Sequence, residues 1–200
     1  MVNKKFSEFR IILLSSSPRR ISLMRAADIS FTAEINHGND EKFDPLMEKS
    51  AVPEYLAKQK SLSYDKNLSE SEVLITADTM VLCNGEILGK PSSRREAEEI
   101  LNKLSGRKHT VYTGVCLRDN SREISFTSKT DVYFKTLAKD EIDYYLDNYN
   151  PYDKAGAYGA QEWIGLIAIE RIEGSYFNVM GLPVEMLYEE LNKFLSDKSV

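Results

Sequence analysis

Cysteine and histidine are scarce, with two of each in 200 residues. A chain of this length buries most of its apolar surface without staples, which excludes a disulfide scaffold. Cys83 and Cys116 lie in the apolar runs Met80–Cys83 and Val115–Leu117 and read as reduced core residues. His37 and His109 are too few, and too far from paired cysteines, for a structural zinc site. Positive charge is also short. Twenty-six Lys and Arg against 31 Asp and Glu leave a net charge of −5, which argues against a nucleic-acid partner but allows a small anion held by local cations. Long apolar runs are missing as well. Only four apolar residues follow Arg10, too few for a signal-peptide core or a membrane span, so the protein is expected in the cytoplasm with no membrane partner. No G-x-x-x-x-G-K-[ST] loop occurs, which leaves a kinase or nucleotidyl-transfer reading without support.

What is present begins with Ser15-Ser16-Ser17-Pro18-Arg19-Arg20, directly after the strand-like run Ile11–Leu14. Pro18 suits the first position of a helix and Ser17 its N-cap, so unpaired backbone N–H groups, the helix dipole and two guanidiniums converge on one point. That is an anion site, or equally a capped surface helix with solvated arginines. Beyond it, the pattern predicts a strand at Phe31–Ile35, an acidic loop at 39–45 and a helix from Pro53 with Tyr55, Leu56, Ala57 and Leu62 as apolar positions. A buried strand Val73–Ala77 ends at Asp78-Thr79, and a hairpin turns on Asn84-Gly85. Ser93-x-x-Glu96 opens a helix carried by Ala97, Ile100, Leu101 and Leu104. The pattern then predicts antiparallel strands His109–Arg118 and Glu123–Phe134, a helix Lys139–Asn148, a Gly/Tyr-rich loop to Gln161, a strand Ile164–Ile172 and a last helix from Pro183. No repeat or linker divides residues 1–200, which read as a single domain of α/β class: a mixed twisted sheet flanked by helices, in two lobes around a central cleft.

Three further motifs place chemistry at strand ends or in loops. Asp78-Thr79 follows a buried strand, where a lone carboxylate more often caps a turn than catalyses. Lys90 stands in Leu88-Gly89-Lys90-Pro91, by itself a hairpin exit. The segment Asp153–Gln161 combines glycines that permit close backbone approach with a Gln161 amide able to donate and accept at a base edge.

Taken in order, these phrases resemble the Maf family of nucleoside triphosphate pyrophosphatases from Ile11 to Phe194. They are Ser15–Arg20, Asp40-Glu41, Ala77-Asp78-Thr79, Leu88–Pro91, Leu104-Ser105-Gly106, Thr113-Gly114-Val115, Asp153–Gln161 and Gly174–Pro183. Lys154–Gln161 is similar to the branch acting on dTTP and UTP. The resemblance implies a fold like that of the inosine triphosphatases and hydrolysis to the nucleoside monophosphate and pyrophosphate. It implies Asp78 as proton acceptor, and Arg19, Thr79 and Gln161 at positions tied to substrate choice. It further implies Ser15, Arg20, Glu41, Lys60 and Lys90 in the active site, and Ser17, read from the local sequence as the N-cap, is expected to bind substrate beside them. Glu162 departs from the family pattern, where glycine is common, and Ala160 stands where a larger aliphatic is usual. Because a carboxylate alone is a weak base, Mg²⁺, or Mn²⁺ in vitro, is expected on Glu41 and Asp78. The resemblance also implies a homodimer. Its links with septum formation leave one rival reading, a nucleotide-binding regulator of cell division without turnover.

Overall fold

Parallel pairing of Ile11 with Val73 and of Leu13 with Ile75 sets the register of the first long strands. In the computed structural model, which describes residues 6–35 and 42–196, β1 (Arg10–Leu14) lies parallel to both β2 (Thr32–Glu34) and β3 (Glu72–Cys83). Strands buried on both faces read as continuous apolar runs, and Ile11, Ile12, Leu13, Val73, Leu74 and Ile75 are all buried. The remaining strands are β4 (Glu86–Leu88), β5 (Lys108–Arg118), β6 (Glu123–Phe134) and β7 (Ile169–Glu173). They complete a sheet of order β2-β1-β3-β5-β6-β7, with β4 antiparallel on β3 and β7 antiparallel on β6. The sheet is therefore mixed, as the sequence suggests.

Helices α1 (Pro18–Ala26), α2 (Val52–Leu62), α3 (Arg94–Leu104), α4 (Lys139–Asn148), α5 (Trp163–Ala168), α6 (Tyr176–Val179) and α7 (Val184–Ser196) accompany it. Helix α3 buries Ala97, Ile100, Leu101 and Leu104, the four positions its spacing marks. Its cap forms by halves: Ser93 Oγ accepts from Glu96 N, while the Glu96 carboxylate accepts from Ser92 rather than Ser93. Cys83 and Cys116 are buried thiols, and burial pushes Cys116 up to about 12. No helix among the described residues is long and apolar enough to cross a membrane.

Three expectations change. Residues 164–168 are helical, and the strand holds only Ile169–Glu173. A short apolar run satisfies a buried helix as well as a strand, and Gly165 decides it by seating against the Ala160 carbonyl. Strand β3 does not stop at Asp78-Thr79 but continues as one strand to Cys83. Leu62, read as part of the apolar face of α2, is 62% exposed at the helix end.

The chain forms two compact units. The first holds residues up to Asp78, Thr113–Ser128 and the chain from Gly181 on; the second holds Thr79–Tyr112 and Lys129–Met180.

Candidate active site

In the first unit the site starts where β1 meets α1. Ser17 caps the helix, its Oγ accepting from Arg20 N at 3.5 Å, and Pro18 occupies the first helical position. Ser17 N donates in turn to Ser15 Oγ at 3.2 Å, and Ser15 N donates to the Glu34 carbonyl on β2. The serine turn is thereby tied to the ends of β1 and β2. Arg19 and Arg20 follow on the first turn and take different work. Arg20 turns back onto the backbone: Nε donates to Gly181 O and Nη1 to Ala77 O, both at 2.8 Å. It therefore braces β3 at the residue before Asp78.

Asp78 is buried, only 8% exposed, in mid-strand. Alternation puts Thr76 and Asp78 on the same face of β3, and helix α2 covers that face. Thr76 Oγ1 donates to the Ala57 carbonyl at 2.6 Å, and Lys60, one helical turn further on, places its Nζ on Asp78 Oδ1. A buried carboxylate needs such a partner, because desolvation of an unpaired charge costs several kcal/mol. Lys60 thus stands over the carboxylate rather than on an outer face of α2.

Helix α2 is pressed onto the sheet by Gly114, from one of the phrases quoted above, and by Glu54 and Arg118, which the sequence does not single out. Gly114 in β5 leaves no room for a Cβ, which would run into the Pro53 and Glu54 backbone. The Glu54 carboxylate accepts from Ser125 and Thr127 of β6, and Arg118 of β5 donates to Ser61 Oγ and O. A glycine inside a strand, within Thr113-Gly114-Val115, is the sequence signal for such an approach. The Glu54 and Arg118 contacts carry no local signal.

In the second unit Thr79 is half-buried, and Lys90 is exposed just after β4. Gln161 is exposed between buried Ala160 and Glu162, the residue that precedes α5. The loop leading to it turns through left-handed Gly156 and Ala157, with φ of +75° and +56°. Gly156 N donates to Gly89 O, and a side chain at 156 would meet Val81. This ties the loop to the strand end that carries Lys90.

Glu41 lies outside the described residues, as does His37. No group of three His, Cys, Asp or Glu residues suited to a metal gathers among the described residues. Asp78 is the described carboxylate that the sequence offers as a ligand. Such a donor set fits Mg²⁺, which takes one or two carboxylates and completes its shell with water and phosphate oxygens.

A family model described as Maf-like protein matches residues 10–194. The chain belongs to the Maf family. A dTTP/UTP pyrophosphatase of Porphyromonas gingivalis is 48% identical to the Maf chain over 189 residues, 94% of this chain and 95% of the relative. One from Bacteroides thetaiotaomicron is 45% identical over 186 residues, 93% of this chain and 96% of its own. Among solved structures, a HAM1 protein from Coxiella burnetii aligns over 92% of the Maf chain and 99% of its own, at a TM-score of 0.48 and 12% identity.

Proposed function

We propose that this Maf protein hydrolyses dTTP and UTP to the nucleoside monophosphate and pyrophosphate. The observation that carries the reading is the buried Asp78 carboxylate, held by Lys60 from α2 and braced through Arg20 at Ala77. Nothing in strand pairing requires a carboxylate there, and a binding module needs no positioned base. The names of relatives at 45–48% identity over nearly the whole chain support the substrate.

Attack of water on the α-phosphorus needs three things: an oriented nucleophile, neutralisation of the triphosphate and stabilisation of the departing pyrophosphate. With Oδ1 engaged by Lys60, Asp78 Oδ2 is the oxygen that orients the water and takes its proton. Arg19, the amino end of α1 behind Ser15 and Ser17, Lys60 and Lys90 supply positive charge to the phosphates, while Arg20 fixes the strand. Thr79 and Gln161 act in substrate choice. With its NH₂ directed to O4 and its carbonyl to N3–H, the Gln161 amide meets the edge of uracil or thymine, and held in that orientation it mismatches the amino group of cytosine. Mg²⁺, held by Asp78 and Glu41 together with the substrate, would supply further charge on the triphosphate and a more acidic water. The reading places the enzyme in the cytoplasm as a homodimer, with no nucleic acid bound.

Pyrophosphate release from a panel of nucleoside triphosphates with Mg²⁺, for wild type beside Asp78→Asn, tests it. Release from dTTP and UTP should fall about 10²–10⁴-fold in the variant while nucleotide binding persists. Tight binding without release from any nucleotide by wild type gives the regulator reading instead.

A further inference from the structure

The loop bearing Gln161 is closed on itself through the buried ammonium of Lys154. Lys154, with a side chain only 8% exposed, places Nζ 2.7 Å from Asp153 Oδ1, 2.8 Å from the Asn150 carbonyl and 3.1 Å from Glu162 Oε1. Glu162 Oε2 accepts from the hydroxyl of Tyr145, a fully buried residue of α4. The same hydroxyl accepts from Gly159 N at 3.2 Å. Burial, and after it the Glu162 carboxylate, push the Tyr145 hydroxyl above its ordinary range, so it remains a donor. The two carboxylate oxygens of Glu162 therefore tie residue 162 to the start of the loop and to α4, while its backbone carbonyl accepts from Gly165 and Leu166 at the start of α5.

These ties bracket Gln161. Glu162 N donates to Gly159 O at 3.0 Å, and a Cβ on Gly159 would come within 2.7 Å of the Glu162 side chain, so the segment between them has no slack. Gln161 itself projects into solvent. An exposed amide on a mobile loop reads a base edge poorly, because ordering it on binding costs rotamer and backbone freedom. A network that buries the Lys154 ammonium and the Tyr145 hydroxyl is also a poor choice for stability alone, since an apolar cluster of equal volume is commonly as stable. Its geometry serves position.

We propose that Glu162 is a specificity-positioning residue, which by joining Lys154 and Tyr145 holds the backbone on both sides of Gln161 and so sets the choice of base. The proposal rests on the pyrimidine pyrophosphatase reading above and adds to it a residue that does not touch the substrate. It assigns a use to the glutamate that stands where the resemblance would put glycine.

The test compares wild type, Glu162→Gln and Tyr145→Phe for kcat and KM on dTTP and on CTP, alongside thermal unfolding. Glu162→Gln keeps the volume but turns an amide toward the Lys154 ammonium. The expected result is a loss of about tenfold or more in the dTTP-over-CTP ratio of kcat/KM, carried by KM for dTTP, with kcat within about threefold. Tyr145→Phe keeps the ion pair and should lose less; it also carries the test if Glu162→Gln does not fold. An unchanged ratio in a folded variant, or an equal loss on both nucleotides, overturns the proposal. Should wild type release no pyrophosphate, the same ratio is read from dissociation constants for dTTP and CTP, which separates failure of the catalytic reading from failure of this one. A wild type with no preference for dTTP by either measure overturns both.

Discussion

Lys60 and Asp78 stand 18 residues apart and meet because one helical turn on α2 matches one strand repeat on β3. That match has no local signal, since Lys60 lies off the apolar stripe of its helix and Asp78 looks like the end of a strand; only the family resemblance puts the two in one site. The Ser17 cap and Pro18 were legible, because capping depends on three or four consecutive residues. Arg20 was half legible. Its charge beside a helix start is plain, but its two carbonyl acceptors come from Ala77 and Gly181, remote in sequence. Gln161 is the residue at which the substrate reading is most exposed to test. Gln161→Ala should cost about 1–3 kcal/mol of discrimination between dTTP and CTP while leaving turnover of an unselective substrate nearly intact. Competition kinetics with both nucleotides in one reaction measures this directly, and an equal loss on all substrates would remove Gln161 from base reading.

At the scale of elements, α2 is the part on which the site depends. Gly114 lets it lie on β5, and Glu54 and Arg118 pin it from β6 and β5. Gly114→Ala should therefore act at a distance. Overpacking of this kind costs about 1–3 kcal/mol of stability and moves the helix that carries Lys60, so kcat should drop by more than the loss of folded protein explains. Denaturant titration beside kcat separates the two; a variant that loses stability but retains full kcat would show that α2 is not the positioning element. Helix α3 was read correctly from its spacing because its burial pattern is helical throughout. The run Trp163–Ile169 was not, because six apolar residues carry no period that separates a buried helix turn from a buried strand. Likewise β3 reads as two pieces, since a carboxylate inside a central strand is improbable unless a partner from another element neutralises it.

For the whole molecule, acid should matter through His109. The ring is 1% exposed, packed edge-on against Phe134 and Tyr158 with centroids 5.0 and 5.4 Å away. Nε2 lies 2.8 Å from the Tyr158 hydroxyl, and Nδ1 is buried without a hydrogen-bond partner. Burial holds the imidazole down to about 4, from an ordinary 6.5. Between those values the unfolded chain binds a proton that the folded one refuses. Stability is thus complete above pH 6.5 and falls as pH drops toward 4, by about 2 kcal/mol at pH 5 from this group. Denaturant midpoints at pH 7 and pH 5 should converge in His109→Gln relative to wild type; an unchanged gap would assign the acid sensitivity to other groups. The architecture reaches further. The chain passes from one unit to the other after Asp78, Tyr112, Ser128 and Met180. Neither unit is a continuous stretch of sequence, and Asp78 and Thr79 are the last residue of one and the first of the other. Because each unit is assembled from separate stretches of chain, no single truncation, fragment exchange or recombination point delivers either unit whole, so the carboxylate proposed for hydrolysis and the residue proposed for substrate choice are expected to diverge by point substitution rather than by exchange of units.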